Sequence, residues 1–200
     1  MTGSSTVIID SGGANLASLR YALTRLGVAS VVSNDATTLL SARRIFLPGV
    51  GSAPDAMARL QASGVAALLP RLSQPLLGIC LGMQLLFDWS EEGNSPCLGL
   101  LSGQVIRLPA AAERPIPHMG WNTLEGLCNE PLLGGITGQD YFYFVHSYAA
   151  RGSAHCLARC HYGIPFAAVV RHNNFSGVQF HPERSGAAGA RLLANFLELS

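Results

Sequence analysis

The sequence predicts an α/β fold: an open, mostly parallel sheet flanked by helices, followed by a mixed or antiparallel second half. Three observations carry this. Short apolar runs alternate with helix-like stretches up to about residue 98, glycines punctuate them where turns belong, and strand-like segments separated by Gly and Pro follow. At 200 residues the chain suits one domain, 1–200. A chain of this size buries roughly 70% of its unfolded surface, enough for a real core.

The elements follow in order. Residues 7–10, 28–33 and 45–47 are short apolar runs, and residues 16–26, 36–41 and 54–60 are the helix-like stretches between them. Turns belong at Gly12, Gly13, Gly27, Gly49 and Gly51. Residues 75–80 (PLLGIC) form a further buried strand, followed by a helix-like run over 81–89 and a polar break over 90–96. Cys80 therefore stands at a strand-to-helix junction. Strands are then expected at 103–108, 141–148, 154–161, 166–171 and 175–180. A closing helix spans 187–199, where Leu192, Leu193, Phe196 and Leu197 recur at helical spacing. No repeat, low-complexity tract or linker divides the chain.

Composition narrows the function. Charged residues are only 12% of the chain against a usual share of about 25%, and hydrophobic residues reach 48%. All 13 basic residues are arginines and the net charge is +1, so no field steers the chain to nucleic acid or anionic lipid. The longest uncharged stretch, 72–87, is too short and too interrupted by Pro75, Gly78 and Gly82 to span a bilayer. The N-terminal MTGSSTVIID lacks the basic and apolar regions of a secretion signal. The expectation is a soluble, cytoplasmic protein with neither membrane nor nucleic acid as partner. Five cysteines (Cys80, Cys97, Cys128, Cys156, Cys160), odd in number and without C-x-x-C pairing, suit reduced thiols. His155-Cys156 and Cys160-His161 lie in one strand-like run, too close to wrap one ion, and are read as structural filler.

Three segments could carry chemistry. Gly78-Ile79-Cys80-Leu81-Gly82 has the shape of a nucleophile elbow with cysteine for serine; the alternative is a buried cysteine on a core strand. An elbow would place the thiol at a helix start, whose N–H groups favour thiolate and can bond a developing oxyanion. His181-Pro182-Glu183 puts a histidine and a carboxylate two apart after an apolar strand. Alone it reads as a surface turn; beside an elbow cysteine it completes a Cys-His-Glu triad. Leu47-Pro48-Gly49-Val50-Gly51 ends a strand with exposed backbone, either an ordinary turn or an N–H donor to a substrate oxygen.

GICLGMQ, FHPERSG about a hundred residues later, and PGVG upstream together resemble the class I glutamine amidotransferases. IIDSGGANLASLRYAL, SEEG, PHMGWN and YFVHSY narrow the likeness to the glutaminase subunits of imidazole glycerol phosphate synthases, from Ile8 to Phe196. The resemblance implies a flavodoxin-like sheet and a thiol amidohydrolase needing neither metal nor organic cofactor. It implies Cys80 as nucleophile, His181 as proton carrier and Glu183 as its orienter. It also implies an oxyanion held by Leu81 and the Val50-Gly51 segment, with Gly49 and Gly51 as hinges of a loop whose peptide can sit turned away. Glutamine would be gripped by Gly51, Gln84, Glu92, Ser147 and Tyr148. The implied partner is a (β/α)8-barrel synthase in a 1:1 heterodimer that receives ammonia, with Asn15, Met119, Trp121, Tyr143 and Arg184 near the interface. The family has lysine after His-Pro-Glu, whereas Arg184 stands here, keeping charge but changing geometry. Two other classes compete. One is the glutaminase of another synthase, of anthranilate or carbamoyl phosphate type, against which PHMGWN and SEEG speak. The other is a non-catalytic synthase-binding scaffold, which has no need of the trio.

Overall fold

The computed structural model describes residues 6–12 and 16–199. Its first third alternates β1 (Thr6–Ile8), α1 (Leu16–Arg25), β2 (Ser30–Val32), α2 (Ala36–Ser41), β3 (Arg44–Gly49), α3 (Ala53–Ala62) and α4 (Val65–Leu68). Next come β4 (Leu76–Cys80), the single turn α5 (Leu81–Gln84), and the short strands β5 (Trp89–Ser90), β6 (Ser95–Pro96) and β7 (Gln104–Arg107). β8 (His118–Thr123), β9 (Tyr141–His146), β10 (Tyr148–Arg151), β11 (Cys156–Tyr162), β12 (Ile164–His172) and β13 (Phe175–Val178) lead to the closing helix α6 (Gly186–Glu198).

The main sheet has seven strands in the order β11-β12-β13-β4-β3-β1-β2. β2, β1, β3, β4 and β13 are parallel, and β12 and β11 add an antiparallel edge. A parallel sheet must be covered on both faces, and strand side chains alternate between faces. β3 shows the result. Ile45 and Leu47 pack with Leu39 and Leu60 on one face, while Phe46 packs with Leu23 and Phe196 on the other. The Phe46 and Phe196 rings meet edge-on at 4.9 Å. On α1, Leu19, Ala22 and Leu23 are the buried stripe, at the spacing of one helical face. Asp35 and Ser52 cap α2 and α3 by accepting backbone N–H bonds from Thr38 and Asp55.

A small four-stranded sheet, β10-β7-β5-β6, and an antiparallel ribbon, β8–β9, sit outside the main sheet. Here the structure corrects the sequence reading. The helix expected over 81–89 stops at Gln84. Leu85, Leu86 and Phe87 are wholly buried, so the segment has no solvent face. Their carbonyls accept at 2.8–2.9 Å from Leu98, Leu100, Leu101 and Gly99 instead of from a further turn. The polar break at 90–96 contains the β5–β6 hairpin. The strand expected over 141–148 is two strands in two sheets, broken at Ser147, and PHMGWN supplies an unforeseen strand, β8. Other boundaries agree within a few residues, the usual scatter of element ends. No helix among the described residues is long and apolar enough to cross a membrane.

Core and ribbon should respond differently to truncation. Phe196→Ala, at a fully buried ring, is expected to cost about 3–5 kcal/mol. Trp121→Ala, at a residue 55% exposed, should stay within about 0.5 kcal/mol. Denaturant unfolding of both variants checks the contrast.

Candidate active site

β3 and β4 lie side by side with Leu47 opposite Gly78 and Gly49 opposite Cys80. β4 turns directly into α5, which forces Cys80 to φ 54°, ψ −112°, a costly conformation for a residue with a side chain. Three glycines make room for it. A Cβ on Gly78 would lie 2.7 Å from the Gly82 carbonyl oxygen, and one on Gly49 would lie 2.7 Å from the Gly82 nitrogen. A Cβ on Gly82 would run into the Leu47 carbonyl. Gly51 differs: it has free space but φ +95°, so conformation and not contact calls for glycine there.

β13 pairs with the other side of β4, Val178 opposite Ile79, so the chain leaving β13 passes the thiol. Gln179 donates toward the Cys80 sulfur at 3.8 Å. The backbone N–H of His181 donates to Tyr143 O at 2.9 Å. Ser185 Oγ donates to His181 O at 2.6 Å and accepts from Tyr143 N–H at 3.0 Å, tying the loop to β9. Pro182 opens a tight turn that brings Glu183 back to the ring, with Nδ1 of His181 and Oε1 of Glu183 2.8 Å apart. Both side chains are almost fully buried, at 5% and 1% exposure. Burial, the largest single influence, pulls the imidazolium down; hydrogen bonds and charge from Cys80 and Glu183 together outweigh it and raise His181 to about 10. These partners favour the protonated imidazole, the form that can give a proton to a group in the cleft.

Above the sulfur is an open cleft of about 520 Å³ lined by Cys80, His181, Leu81, Gln84, Glu92, Ser147 and the Gly49–Gly51 loop, among others. The class-I glutamine amidotransferase family model matches residues 7–199. The chain belongs to this family. Relatives named imidazole glycerol phosphate synthase subunit HisH are 53% identical in Xanthomonas oryzae pv. oryzae, over 193 residues, and 55% identical in Xylella fastidiosa, over 192; both alignments cover 96% of either chain. Among solved structures, a glutamine amidotransferase superposes with TM-score 0.74 at 23% identity, covering 98% of both chains. PurLQS from Thermotoga maritima gives TM-score 0.72 at 19% identity, covering 96% of both chains. These two likenesses concern fold.

Most site residues expected from the sequence converge in this amidotransferase. Val50, Gly51, Leu81, Gln84, Glu92, Ser147, Tyr148 and Arg184 all line the cleft with Cys80 and His181. Leu81 opens the helical turn, so its N–H has no acceptor within the helix. Gln84 Nε2 donates to Tyr148 O at 2.7 Å and to Gln179 Oε1 at 3.0 Å. Glu92 reaches the cleft while accepting the Ala53 N–H at the start of α3, 2.8 Å away. Met119 and Trp121 stand 63% and 55% exposed on β8. Tyr143 meets Trp121 edge-on at 5.8 Å, and the Arg184 guanidinium lies 5.3 Å from the Tyr143 ring centre. These four form one patch beside the cleft. Asn15 lies outside the described residues.

Gln179, His146 and His118 carry no role expected from the sequence, although each lies within or beside a recognised motif. Gln179 precedes His181 by two, the spacing that gives strand residues a common side; that was the available signal. For the two histidines no local signal exists. Nor do the histidine–cysteine pairs converge. Cys160 is fully buried, its thiol pushed up to about 12 chiefly by burial, and Cys156 donates to Ala158 O at 3.3 Å.

Two outcomes follow. Gly82→Ala should destabilise by at least about 1–3 kcal/mol, because a methyl meets backbone that cannot swing aside, with a lower unfolding midpoint as the readout. In Cys80→Ala, the two Cys80 influences that raise His181 disappear while burial persists, so NMR titration of the imidazole should show proton loss clearly below about 10.

Proposed function

We propose that this chain is the glutaminase subunit of an imidazole glycerol phosphate synthase, supplying ammonia for histidine biosynthesis. The observation that carries the reading is a thiol at a strand–helix elbow, facing a histidine held 2.8 Å from a buried carboxylate. The 53–55% identity to the HisH subunits, over 96% of the chain, supports this synthase over the anthranilate or carbamoyl phosphate type.

The geometry supports the following chemistry. The Cys80 thiolate attacks the side-chain amide carbon of glutamine, and the carbonyl oxygen becomes an oxyanion. The Leu81 N–H and the Val50-Gly51 segment hold that oxyanion. His181, with Glu183 fixing its ring, gives its proton to the amide nitrogen; the C–N bond breaks, ammonia leaves and a glutamyl thioester remains. His181 then takes a proton from water as its oxygen adds to the thioester, a second oxyanion collapses, and glutamate and the thiolate are released. Gly51, Gln84, Glu92, Ser147 and Tyr148 hold the substrate.

Ammonia passes to a (β/α)8-barrel partner in a 1:1 heterodimer, which forms imidazole glycerol phosphate and an aminoimidazole carboxamide ribonucleotide. Exposed Met119 and Trp121 with half-buried Tyr143, and Arg184 beside them, have the composition of an interface core and support docking there; the family resemblance adds Asn15. The chain acts as one domain in the cytoplasm, with neither nucleic acid nor membrane as partner.

The test is glutamine hydrolysis by the purified chain, alone and with a barrel synthase plus its nucleotide ligand. Activity should rise strongly with the synthase, vanish in Cys80→Ala, and fall by about 10²–10⁴-fold in Glu183→Gln. Full activity indifferent to that synthase points to another glutaminase. Silence with proven synthase binding leaves the scaffold.

A further inference from the structure

The catalytic chemistry leaves two buried histidines unused. His146 is the last residue of β9 and lines the cleft; His118 is the first residue of β8, directly opposite it. Their ring nitrogens, His118 Nδ1 and His146 Nε2, are 3.1 Å apart. His146 Nδ1 lies 2.8 Å from Tyr148 O, a carbonyl that also receives Gln84 Nε2.

Donor logic orders this chain. A carbonyl oxygen only accepts, so His146 carries its proton on Nδ1. In a neutral ring Nε2 is then an acceptor and requires a donor, which among the described residues Nδ1–H of His118 provides. His118 Nε2 must therefore accept, and the Asn122 side-chain nitrogen stands 3.5 Å from it. Asn122 cannot be reversed without loss, because its Oδ1 accepts the Thr123 N–H at 2.8 Å while its nitrogen also donates to His161 O at 3.1 Å. Every proton points toward Tyr148. Burial keeps both rings neutral, His118 lowered to about 4 and His146 to about 3, and charge on His181 further opposes a proton on His146.

We propose that His146 is a positioning residue that pins Tyr148 and the Ser147 corner of the glutamine cleft, and that His118 locks His146 in the tautomer this requires. The inference rests on the glutaminase reading and deepens it. The His146 bond reaches two residues along its own chain, across the point where β9 leaves the ribbon and β10 joins the small sheet. It thus sets the bend that presents Ser147 and Tyr148. Gln84 completes the joint, since one side-chain nitrogen ties Tyr148 O to Gln179, which in turn donates to the nucleophile's sulfur. A packing role alone would not need these nitrogens: His118 stacks on Tyr162 at 4.0 Å and Phe144 at 4.9 Å, contacts that any aromatic ring can make.

That contrast supplies the test, made on the complex with its synthase. His118→Asn keeps a donor where Nδ1 stands but loses the stacked ring; His118→Phe keeps the ring and loses the donor. The KM for glutamine should stay within about threefold of wild type in His118→Asn and rise about tenfold in His118→Phe, with kcat largely kept in both. The reverse order would show packing alone and overturn the proposal. Long-range ¹H–¹⁵N spectra of the unvaried complex should show both histidines neutral and protonated on Nδ1; a proton on Nε2 of His146 overturns the proposal even if no variant folds. An unvaried complex with these tautomers but no glutaminase activity would sink the glutamine reading and leave the pinning of Tyr148 standing.

Discussion

The close approach of β3 to the turn between β4 and α5 is the constraint on which the site depends. Cys80 can adopt its strained backbone only if Gly78, Gly82 and Gly49 present no side chains, since each Cβ would fall 2.7 Å or less from backbone of the facing segment. Close packing at that point fixes the β3–β4 register, and the register carries the 49–51 loop to the thiol. Because β13 flanks β4 on its other side and runs parallel to it, its carboxyl end delivers His181 to the same place. Ligands in open α/β sheets bind outside the carboxyl ends of the strands, and here three adjacent ends bring together the 49–51 loop, the Cys80 thiol and the His181 ring.

Electrostatics then separates three buried histidines that the apolar surroundings alone would treat alike. Burial opposes charge on His118, His146 and His181. His181 alone has a carboxylate and a thiol as partners, and their bonds outweigh burial. The other two have a carbonyl, an amide and each other, partners that satisfy a neutral ring. Positive charge is thus favoured only on the ring that has a carboxylate and a thiol beside it. The repulsion that His181 exerts on His146 reinforces the division.

The ribbon β8–β9 joins these features to the outer surface. Its buried side carries His118, Phe142, Phe144 and His146, and its outer side carries Met119, Trp121 and Tyr143. Strand alternation makes one two-stranded element serve both purposes. The His181 N–H bond to Tyr143 O and the Tyr143 N–H bond to Ser185 Oγ attach the 181–185 loop to the same ribbon.

Much of this was legible in the residues themselves. Alternating apolar runs and turn glycines marked the parallel sheet, because strand and helix periodicities are local properties of the chain. Cys80 between two glycines marked the elbow and His181 two residues from Glu183 marked the pair, since both are built from neighbours in sequence. What escaped was decided by partners far apart in the chain. The helix after Gln84 ended because residues 98–101 claimed its carbonyls, and an apolar run with no solvent face gave no periodic warning of that. The strand through Ser147 broke because its two halves pair with β8 and β7, at different sequence distances. Gln179 bonds to Gln84 across 95 positions and His118 meets His146 across 28. A buried polar side chain draws its role from the donor or acceptor it meets, and only the tertiary structure brings that partner into place.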